Sequence, residues 1–409
     1  WLRQRELGIK FPLGHADCFH KTLYSSMKPV TSWDHALSAA AAHGGVFNLE
    51  YSPDGSLLLA ACEKKSILMF DPLRRNLIHT IDNAHHDCVN CVSRFLDQRM
   101  FATCSDDSTV ALWDARNLKQ RIRTLQGHSN WVKNIEYSPK DSLLLTSGFD
   151  GSIYTWDINS FTENSILYTR VFHTNGLMRT RLSPDASKML ISTTSGYLII
   201  IHNLKLSSLS QDLAGFRPNM YRLMQSSQTT IPNVASFTHL FSHSRTHNRV
   251  EFLTDFPVGD DAEIISSLQV HPQGWCALSR NVSNGEKSEW TCIHDIQERD
   301  VSSIAEQALT HYIEEPNVGS GYIKELCFSA DGRLICSPFG YGIRLLAFSK
   351  DCSELSNCVP PYNESVQLHE LVTNVSHSGI VVSTKFSPRH CLLVSGCLSG
   401  KIVWHQPVV

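Results

Sequence analysis

Short apolar runs separated by turn residues recur along most of this chain. The clearest unit begins at Gly127-His128 and ends at Trp156-Asp157. Its apolar runs and turns are, in order, Val132 to Tyr137, Ser138-Pro139, Leu143 to Leu145, Asp150-Gly151 and Ile153 to Trp156. Runs of this length bounded by Gly, Pro and Asp are typical of β-strands. A small sheet of this kind cannot bury its own faces, so the units must stack around an axis.

The spacing of equivalent residues supports such stacking. Phe70-Asp71, Trp113-Asp114 and Trp156-Asp157 follow one another at steps of 43 residues. A period of about 40 to 45 residues ending in Trp-Asp is the pattern of a four-stranded propeller blade. Weaker copies span residues 43–71, 85–114, 173–203, 265–295, 323–332 and 377–404. The sequence therefore predicts an all-β fold, a seven-bladed WD40-type β-propeller.

The last unit stops after its third strand, at Val409. Its fourth strand must then come from elsewhere, and Ala36 to Ala42 holds the position relative to the first unit that Ile122 to Gln126 holds relative to the third. We expect the two ends of the chain to pair and close the ring, because closure removes an exposed sheet edge.

Two regions lie outside the repeats. Residues 1–32 predict a helix-loop-helix extension, in which Leu7-Gly8 ends the first helix and the second carries Phe19, Leu23 and Met27 at i, i+4 steps. This extension would precede a propeller of residues 33–409, although it could also simply lie over one propeller face. The sequence predicts an insertion at residues 205–259, because polar runs there replace the alternation of apolar and polar residues that the strands of an eighth blade would need.

Composition indicates the size of the core, the cellular compartment and the class of partner. Apolar residues make up 42% of the chain and charged residues 18%, which is sufficient for a large core. The 13 cysteines are scattered, which favours reduced thiols in an intracellular compartment, the nucleus or the cytoplasm. No apolar run is long enough to predict a membrane helix. A formal charge of −3 argues against direct nucleic-acid binding. The start at Trp1 suggests a trimmed product.

Two constellations resemble sites of chemistry. Cys88 and Cys91 have the CxxC spacing of half a zinc site, but on one strand they would point to opposite faces, so we expect no metal and no cofactor. Two His, Asp and Trp sets recur at blade spacing: His85, Asp107 and Trp113, then His128, Asp150 and Trp156. Buried polar groups need partners, so we interpret both sets as structural networks and expect no catalysis.

Arg116 is a residue that the repeat does not require. The ends of the third strands read Asp71-Pro72-Leu73, Asp114-Ala115-Arg116 and Asp157-Ile158-Asn159, so only the second unit has Asp-x-Arg. This Trp113-Asp114-Ala115-Arg116 sequence resembles the WDxR motif of the WD-repeat substrate receptors of cullin-4 ubiquitin ligases. Receptors of this family often carry the motif in two successive repeats, whereas here the neighbouring positions hold Leu73 and Asn159.

The resemblance implies a non-catalytic receptor that docks on the damaged-DNA-binding adaptor protein and, through it, on cullin-4 and a RING subunit. The implied docking residues are Asp114, Arg116, Leu7, Phe19, Leu23 and Met27. Substrate proteins, whose identity the sequence does not specify, would bind elsewhere on the ring. Two alternatives remain, a WD-repeat scaffold unrelated to ubiquitin and a propeller that binds nucleic acid.

A candidate substrate surface follows from the repeat. The residue before the first apolar position of each opening strand should lie near one mouth of the ring. These residues include Cys88, Trp131, Ile264, Tyr322 and Ile380, together with Gly45 and Gly176. Large apolar side chains at such a mouth are typical of a recognition surface, unless loops or the insertion cover them.

Overall fold

The chain folds into seven β-sheets arranged as blades. The computed structural model describes residues 6–8, 15–34, 43–93, 99–159, 168–221, 237–242, 244–281, 289–298, 308–316, 324–361 and 364–408. Each sheet has four antiparallel strands, except that one gains a short fifth strand. The predicted seven-bladed propeller is therefore confirmed. A short α-helix, α1, spans His15–Ser25 and precedes the first strand.

Blades 1 to 3 follow the repeat closely. Blade 1 consists of β2 Val46–Tyr51, β3 Leu58–Cys62, β4 Ile67–Asp71 and β5 Asn76–Ile81. Blade 2 consists of β6 Val89–Val92, β7 Met100–Ser105, β8 Thr109–Asp114 and β9 Arg123–Gln126. Blade 3 consists of β10 Val132–Ser138, β11 Leu143–Gly148, β12 Ser152–Asp157 and β13 Tyr168–His173. In each blade the first strand is innermost and the fourth is outermost.

Blades 4 to 6 carry the longer connections. Blade 4 consists of β14 Leu177–Leu182, β15 Met189–Thr193, β16 Leu198–His202 and β17 Arg249–Leu253. Blade 5 consists of β18 Ile264–His271, β19 Trp275–Asn281, β20 Glu289–Asp295, β21 Leu309–Glu315 and the parallel β25 Val366–Gln367. Blade 6 consists of β22 Cys327–Phe328, β23 Leu334–Phe339, β24 Gly342–Ala347 and β26 His369–Val375.

The two ends of the chain meet in blade 7, but not through the segment expected. Blade 7 consists of β27 Val381–Phe386, β28 Leu393–Cys397, β29 Ile402–Pro407 and β1 Met27–Trp33. Met27 pairs with Pro407 and Trp33 with Ile402. The closing strand thus lies inside the segment assigned to docking, and the ring begins at Met27. Ala36 to Ala42 lie outside the described residues.

An aromatic cluster explains why this strand closes the ring. The Trp33 ring lies 5.2 Å from that of Phe70, which in turn lies 5.7 Å from the ring of Trp404. Trp33 also stacks on His43 at 5.3 Å. These rings belong to the core between blades 7 and 1. The burial of such large rings stabilises the closed ring.

Polar side chains on the innermost strands join each blade to the next. Asn48 and Asn134 hold equivalent positions on blades 1 and 3, and Asn90 lies one residue before the equivalent position on blade 2. Asn90 donates a hydrogen bond to the carbonyl of Val132 on blade 3 at 2.9 Å, and Asn48 accepts one from the amide of Val92 on blade 2 at 3.2 Å. Each bond joins a main-chain group of one blade to a side chain of the preceding blade.

Charged pairs line the central channel. Arg181 on blade 4 lies 2.7 Å from Glu136 on blade 3 and 3.0 Å from Glu325 of blade 6. Lys385 on blade 7 lies 2.6 Å from Glu50 on blade 1. These charges are largely buried and each has an opposite partner, so they fix the positions of the blades relative to one another.

The insertion packs against the outside of blades 3 and 4. It leaves blade 4 after β16 and returns at β17, and its helix α2, Leu206–Asp212, contributes to a core shared with Val171 and Phe172. The expected insertion at 205–259 therefore includes the outer strand of blade 4. Among the described segments, no helix is long and apolar enough to cross a membrane.

Candidate functional site

The strand order gives the ring two distinct ends. The innermost strands begin at one end, which we call the upper face, and the third strands end at the other, the lower face. In blade 3 the pairing of Val132 with Gly148 lies at the upper face and that of Leu143 with Asp157 at the lower face. Because the blades are equivalent, Trp131 lies on the upper face and the Asp114 turn on the lower face.

Arg116 lies exposed on the lower face of blade 2, held by Asp114. The Asp114 carboxylate accepts hydrogen bonds from the Arg116 amide at 2.9 Å and from Nε at 3.2 Å, and its other oxygen lies 3.0 Å from the terminal Nη2. The Arg116 side chain is 64% exposed. Arg116 lowers the pKa of Asp114, so the carboxylate stays ionised and holds the guanidinium at the surface.

Blade 1 presents a second arginine that the sequence comparison of unit ends missed. The Asp71 carboxylate accepts from the amides of Leu73 and Arg74 at 3.0 and 2.9 Å, and Arg74 Nε lies 3.7 Å from it. The Arg74 side chain is 82% exposed. The arginine follows the aspartate by three positions rather than two, so a search for Asp-x-Arg passes over it. Blades 1 and 2, which are neighbours, therefore each carry on the lower face an arginine held by an aspartate.

Helix α1 is fixed to the lower face at blade 6. The Tyr24 hydroxyl donates to Asp331 at 2.7 Å, and Arg333 donates to Asp17 at 2.6 Å. Burial and the nearby Asp331 raise the pKa of Tyr24, so its hydroxyl stays a donor. Asp331 and Arg333 belong to the turn between the first two strands of blade 6. The contacts place α1 on the same face as Arg116, with blades 7 and 1 between them.

The predicted apolar stripe is shorter than expected. At 100° per residue, Asp17 and Tyr24 lie on the face of α1 toward the ring, while Phe19 and Leu23 lie on another face and are half-buried. Met27 follows the end of the helix, begins β1 and is 0% exposed, so its assignment to a docking stripe is wrong. Its backbone is committed to the ladder with Pro407.

The rest of the extension is described only in part. Leu7 is 75% exposed. The remainder of the first predicted helix, residues 1–5, and the connection at 9–14 lie outside the described residues.

The two His, Asp and Trp sets form buried networks, each with a fourth member. In blade 3, His128 Nδ1 lies 3.0 Å from Asp150, while its Nε2 lies 2.8 Å from the hydroxyl of Thr146. Trp156 Nε1 donates to the same hydroxyl at 2.8 Å. Gly127 precedes the histidine because a Cβ there would lie 2.9 Å from the Trp156 ring. The spacing in the sequence identified three members of this network. The fourth, Thr146, lies on β11, the second strand of the blade.

Blade 2 repeats this network. His85 lies 3.1 Å from Asp107 and 2.9 Å from the Thr103 hydroxyl, to which Trp113 also donates at 2.9 Å. Burial would raise the pKa of Asp107, but hydrogen bonds from His85 and its neighbours outweigh burial and lower it. The network binds the upper turn of the blade to its third strand, which is a structural task.

Two aromatic rings are exposed together on the upper face of blade 3. Trp131 is 46% exposed and Phe149 is 36% exposed, and their ring centroids lie 6.1 Å apart. The Lys133 ammonium lies 4.9 Å from the Trp131 ring and is paired with Asp106 at 3.0 Å. Because the rings are held side by side by a cation and two turns, they form a fixed apolar patch.

The other predicted members of this surface are less exposed or lie outside the described residues. Cys88 and Ile380 are half-buried. Ile264, the first residue of β18, is only 6% exposed, too little to anchor a partner, so its assignment to the surface is wrong. Tyr322 lies outside the described residues. Cys91 is 5% exposed, and no group of three or more His, Cys, Asp or Glu in the described segments is arranged to hold a metal ion.

Comparison with known proteins gives this geometry a context. The WD domain, G-beta repeat, pattern matches residues 30–71, 75–114 and 119–157. The chain is 48% identical to the DDB1- and CUL4-associated factor 10 of Danio rerio over 94% of this chain and 78% of that protein. The Xenopus laevis protein of the same name is 47% identical over 100% of this chain and 94% of its own length.

The human protein of that name is 46% identical over 100% of this chain and 77% of its own length. Similarity at this level extends over the ring, α1 and the insertion together, beyond the three matched repeats. The chain therefore belongs to the family of DDB1- and CUL4-associated factor 10.

Proposed function

We propose that this protein is a non-catalytic substrate receptor of a cullin-4 RING ubiquitin ligase. It docks on DDB1, the damaged-DNA-binding adaptor, through its lower face and presents target proteins from its upper face. The observation that carries this proposal is the 46 to 48% identity, over nearly the whole chain, to proteins named for association with DDB1 and CUL4. Cullin-4 and a RING subunit join through the adaptor.

Features of the lower face support the docking half of the proposal. Arg74 and Arg116 are both exposed and lie on neighbouring blades. A guanidinium held by a carboxylate of its own chain keeps its geometry and can still donate hydrogen bonds to a second carboxylate or to carbonyls of a partner. Helix α1 brings the half-buried Phe19 and Leu23 to the same face. Together they offer a charged and an apolar contact area, separated by the lower edges of blades 7 and 1.

Features of the upper face support the presentation half. Trp131 and Phe149 lie at the opposite end from Arg116, so a target bound there would not compete with the adaptor. A receptor needs this separation because both partners must be held at once. Aromatic side chains at a solvated rim are the usual anchors of protein recognition.

The test is copurification of the full chain with DDB1 and cullin-4, followed by a ubiquitination assay on proteins captured by the intact ring. We expect a stable complex containing both ligase subunits. A chain that folds but fails to bind DDB1 at micromolar concentration would contradict the proposal and favour a WD-repeat scaffold unrelated to ubiquitin. Binding to nucleic acid that weakens steeply with salt would favour the third alternative.

A further inference from the structure

A groove opens on the upper face beside blade 3, between the end of β13 and the insertion. Its volume is about 370 Å³. His173 and Asn175 form one wall, and Phe216, Arg217 and Met220 of the insertion form the other. All of these side chains except Phe216 are exposed, so the groove is open along its length.

The floor of the groove is rigid. Phe216 is 5% exposed and packs at ring distances of 5.7 Å from Phe237 and 6.0 Å from Phe241. The Phe216 amide donates to the carbonyl of Leu213 at 3.0 Å. Because the floor belongs to the core shared by the insertion and blades 3 and 4, the groove needs no rearrangement before it can bind.

Arg217 gives the groove its charge. Its backbone is fixed, since its carbonyl accepts from the amides of Met220 and Tyr221 at 3.1 and 3.3 Å. Its side chain is exposed, and the eight described residues that line the groove include no carboxylate. This distinguishes it from Arg74 and Arg116, whose charges are balanced by Asp71 and Asp114. An exposed arginine in a groove whose described lining brings no carboxylate favours a carboxylate brought by a partner.

A main-chain hydrogen bond joins the wall of the groove to the turn beside the aromatic patch. The Thr174 amide donates to the carbonyl of Gly151 at 2.9 Å, which joins the wall of the groove to the turn that carries Phe149. At Gly151, φ is +76° and a Cβ would lie 2.4 Å from the Thr174 carbonyl oxygen, so glycine permits this close approach. The groove and the Trp131 and Phe149 patch are therefore connected through one turn on the same face of the ring.

We propose that this groove and the Trp131 and Phe149 patch bind one extended peptide segment of a target protein, with an Asp or Glu side chain at Arg217 and a large apolar side chain at the aromatic rings. The inference deepens the proposed function and rests on it only for the identity of the partner as a ligase substrate. The charge selects the acidic residue and the rings select the apolar one.

The test uses fluorescein-labelled peptide pools of 12 residues, each with one Glu and one Trp at separations of two to eight residues, in Gly-Ser backgrounds. Fluorescence polarisation would be measured with the full chain, and matched pools would replace Glu with Lys or Trp with Ala. We expect the Glu and Trp pool to bind at least tenfold more tightly than either matched pool. Arg217→Glu should reverse the preference between Glu and Lys.

Arg170→Glu is the matched control, because Arg170 is an exposed arginine on β13, the outer strand of blade 3, and does not line the groove. It makes the same charge change and should leave both the peptide preference and the thermal unfolding profile as in the wild type. Equal binding of the Glu and Trp pool to the wild type and to Arg217→Glu would overturn the proposal, and so would an absence of pool binding to the wild type. DDB1 copurification, measured separately, should survive Arg217→Glu, so failure of the proposed function is distinguishable from failure of the groove.

Discussion

Arg116 owes its position to the three-residue turn Asp114-Ala115-Arg116 at the end of β8. Its own amide and its guanidinium both bond to Asp114, so the direction of the side chain is set before any partner arrives. The pair is exposed, and such a pair contributes little to the stability of the fold. The pair instead fixes the direction of the guanidinium, and the same holds for Asp71 and Arg74 on blade 1.

Arg116→Ala should weaken binding to DDB1 by about 1 to 3 kcal/mol if the guanidinium makes charge-assisted bonds in a water-excluded interface. Arg74→Ala should have a smaller effect, because Asp71 holds it less closely. Isothermal titration calorimetry on the two single variants and the double variant would measure the losses. An affinity change below about threefold for Arg116→Ala would make this arginine an ordinary solvated charge.

At the scale of elements, α1 has two faces with different tasks. Asp17 and Tyr24 attach the helix to blade 6, whereas Phe19 and Leu23 lie away from those contacts.

Leu23→Asp should abolish DDB1 binding and leave the ring folded, since a charge in an apolar interface is costly to desolvate. Pull-down with a thermal unfolding control would check both parts, and Thr22→Asp, on an exposed position of the same helix, is the matched control. Unchanged pull-down of the Leu23 variant would remove α1 from the interface.

Blade 7 contains an element that should respond to acid. His377 and His405 both lie against the Ser395 hydroxyl, at 2.7 and 2.8 Å. Burial lowers the pKa of His377 to about 4 and that of His405 to about 3. In the unfolded chain a histidine has a pKa of about 6.5, so below that pH the unfolded state binds more protons than the folded one.

The stability that these neutral histidines provide is therefore complete above about pH 6.5 and is lost as the pH falls toward 4. The loss is at most about 1.4 kcal/mol per pH unit for each histidine. Denaturant unfolding at pH 7, 6 and 5, with hydrogen exchange on β27 to β29, should show blade 7 opening first. In His405→Gln the pH dependence should be shallower than in the wild type. A wild-type unfolding free energy that stays level from pH 7 to 5 would contradict this account.

At the scale of the whole molecule, the ring is closed by a strand from the other end of the chain. Removal of residues 1–33 should expose the edge of β29 and the Phe70 and Trp404 rings, and cause aggregation or unfolding. Removal of residues 1–14 should leave the ring intact and affect only DDB1 binding. Size-exclusion chromatography and circular dichroism would compare the two truncations. A folded monomer lacking residues 1–33 would show that β1 is dispensable.

Several features were determined by the sequence itself. The 43-residue step of Trp-Asp ends, the turn residues and the apolar runs gave the seven-bladed ring, because each blade is built from local contacts that recur with the repeat. The same locality gave three of the four members of the His85 and His128 networks. The Arg116 position also followed, since the turn that holds it is only three residues long.

Other features were decided only by the tertiary structure. The closing strand is Met27–Trp33 because it pairs with β29 and because Trp33 joins a core that includes Leu392, Val394 and Trp404, more than 300 positions away, and no local pattern reports those contacts. The burial of Met27 and Ile264, the second arginine at Arg74 and the groove beside Arg217 depend on the same kind of distant packing. A repeat specifies the structure of one blade, but the neighbours of each blade determine which of its side chains remain exposed to bind a partner.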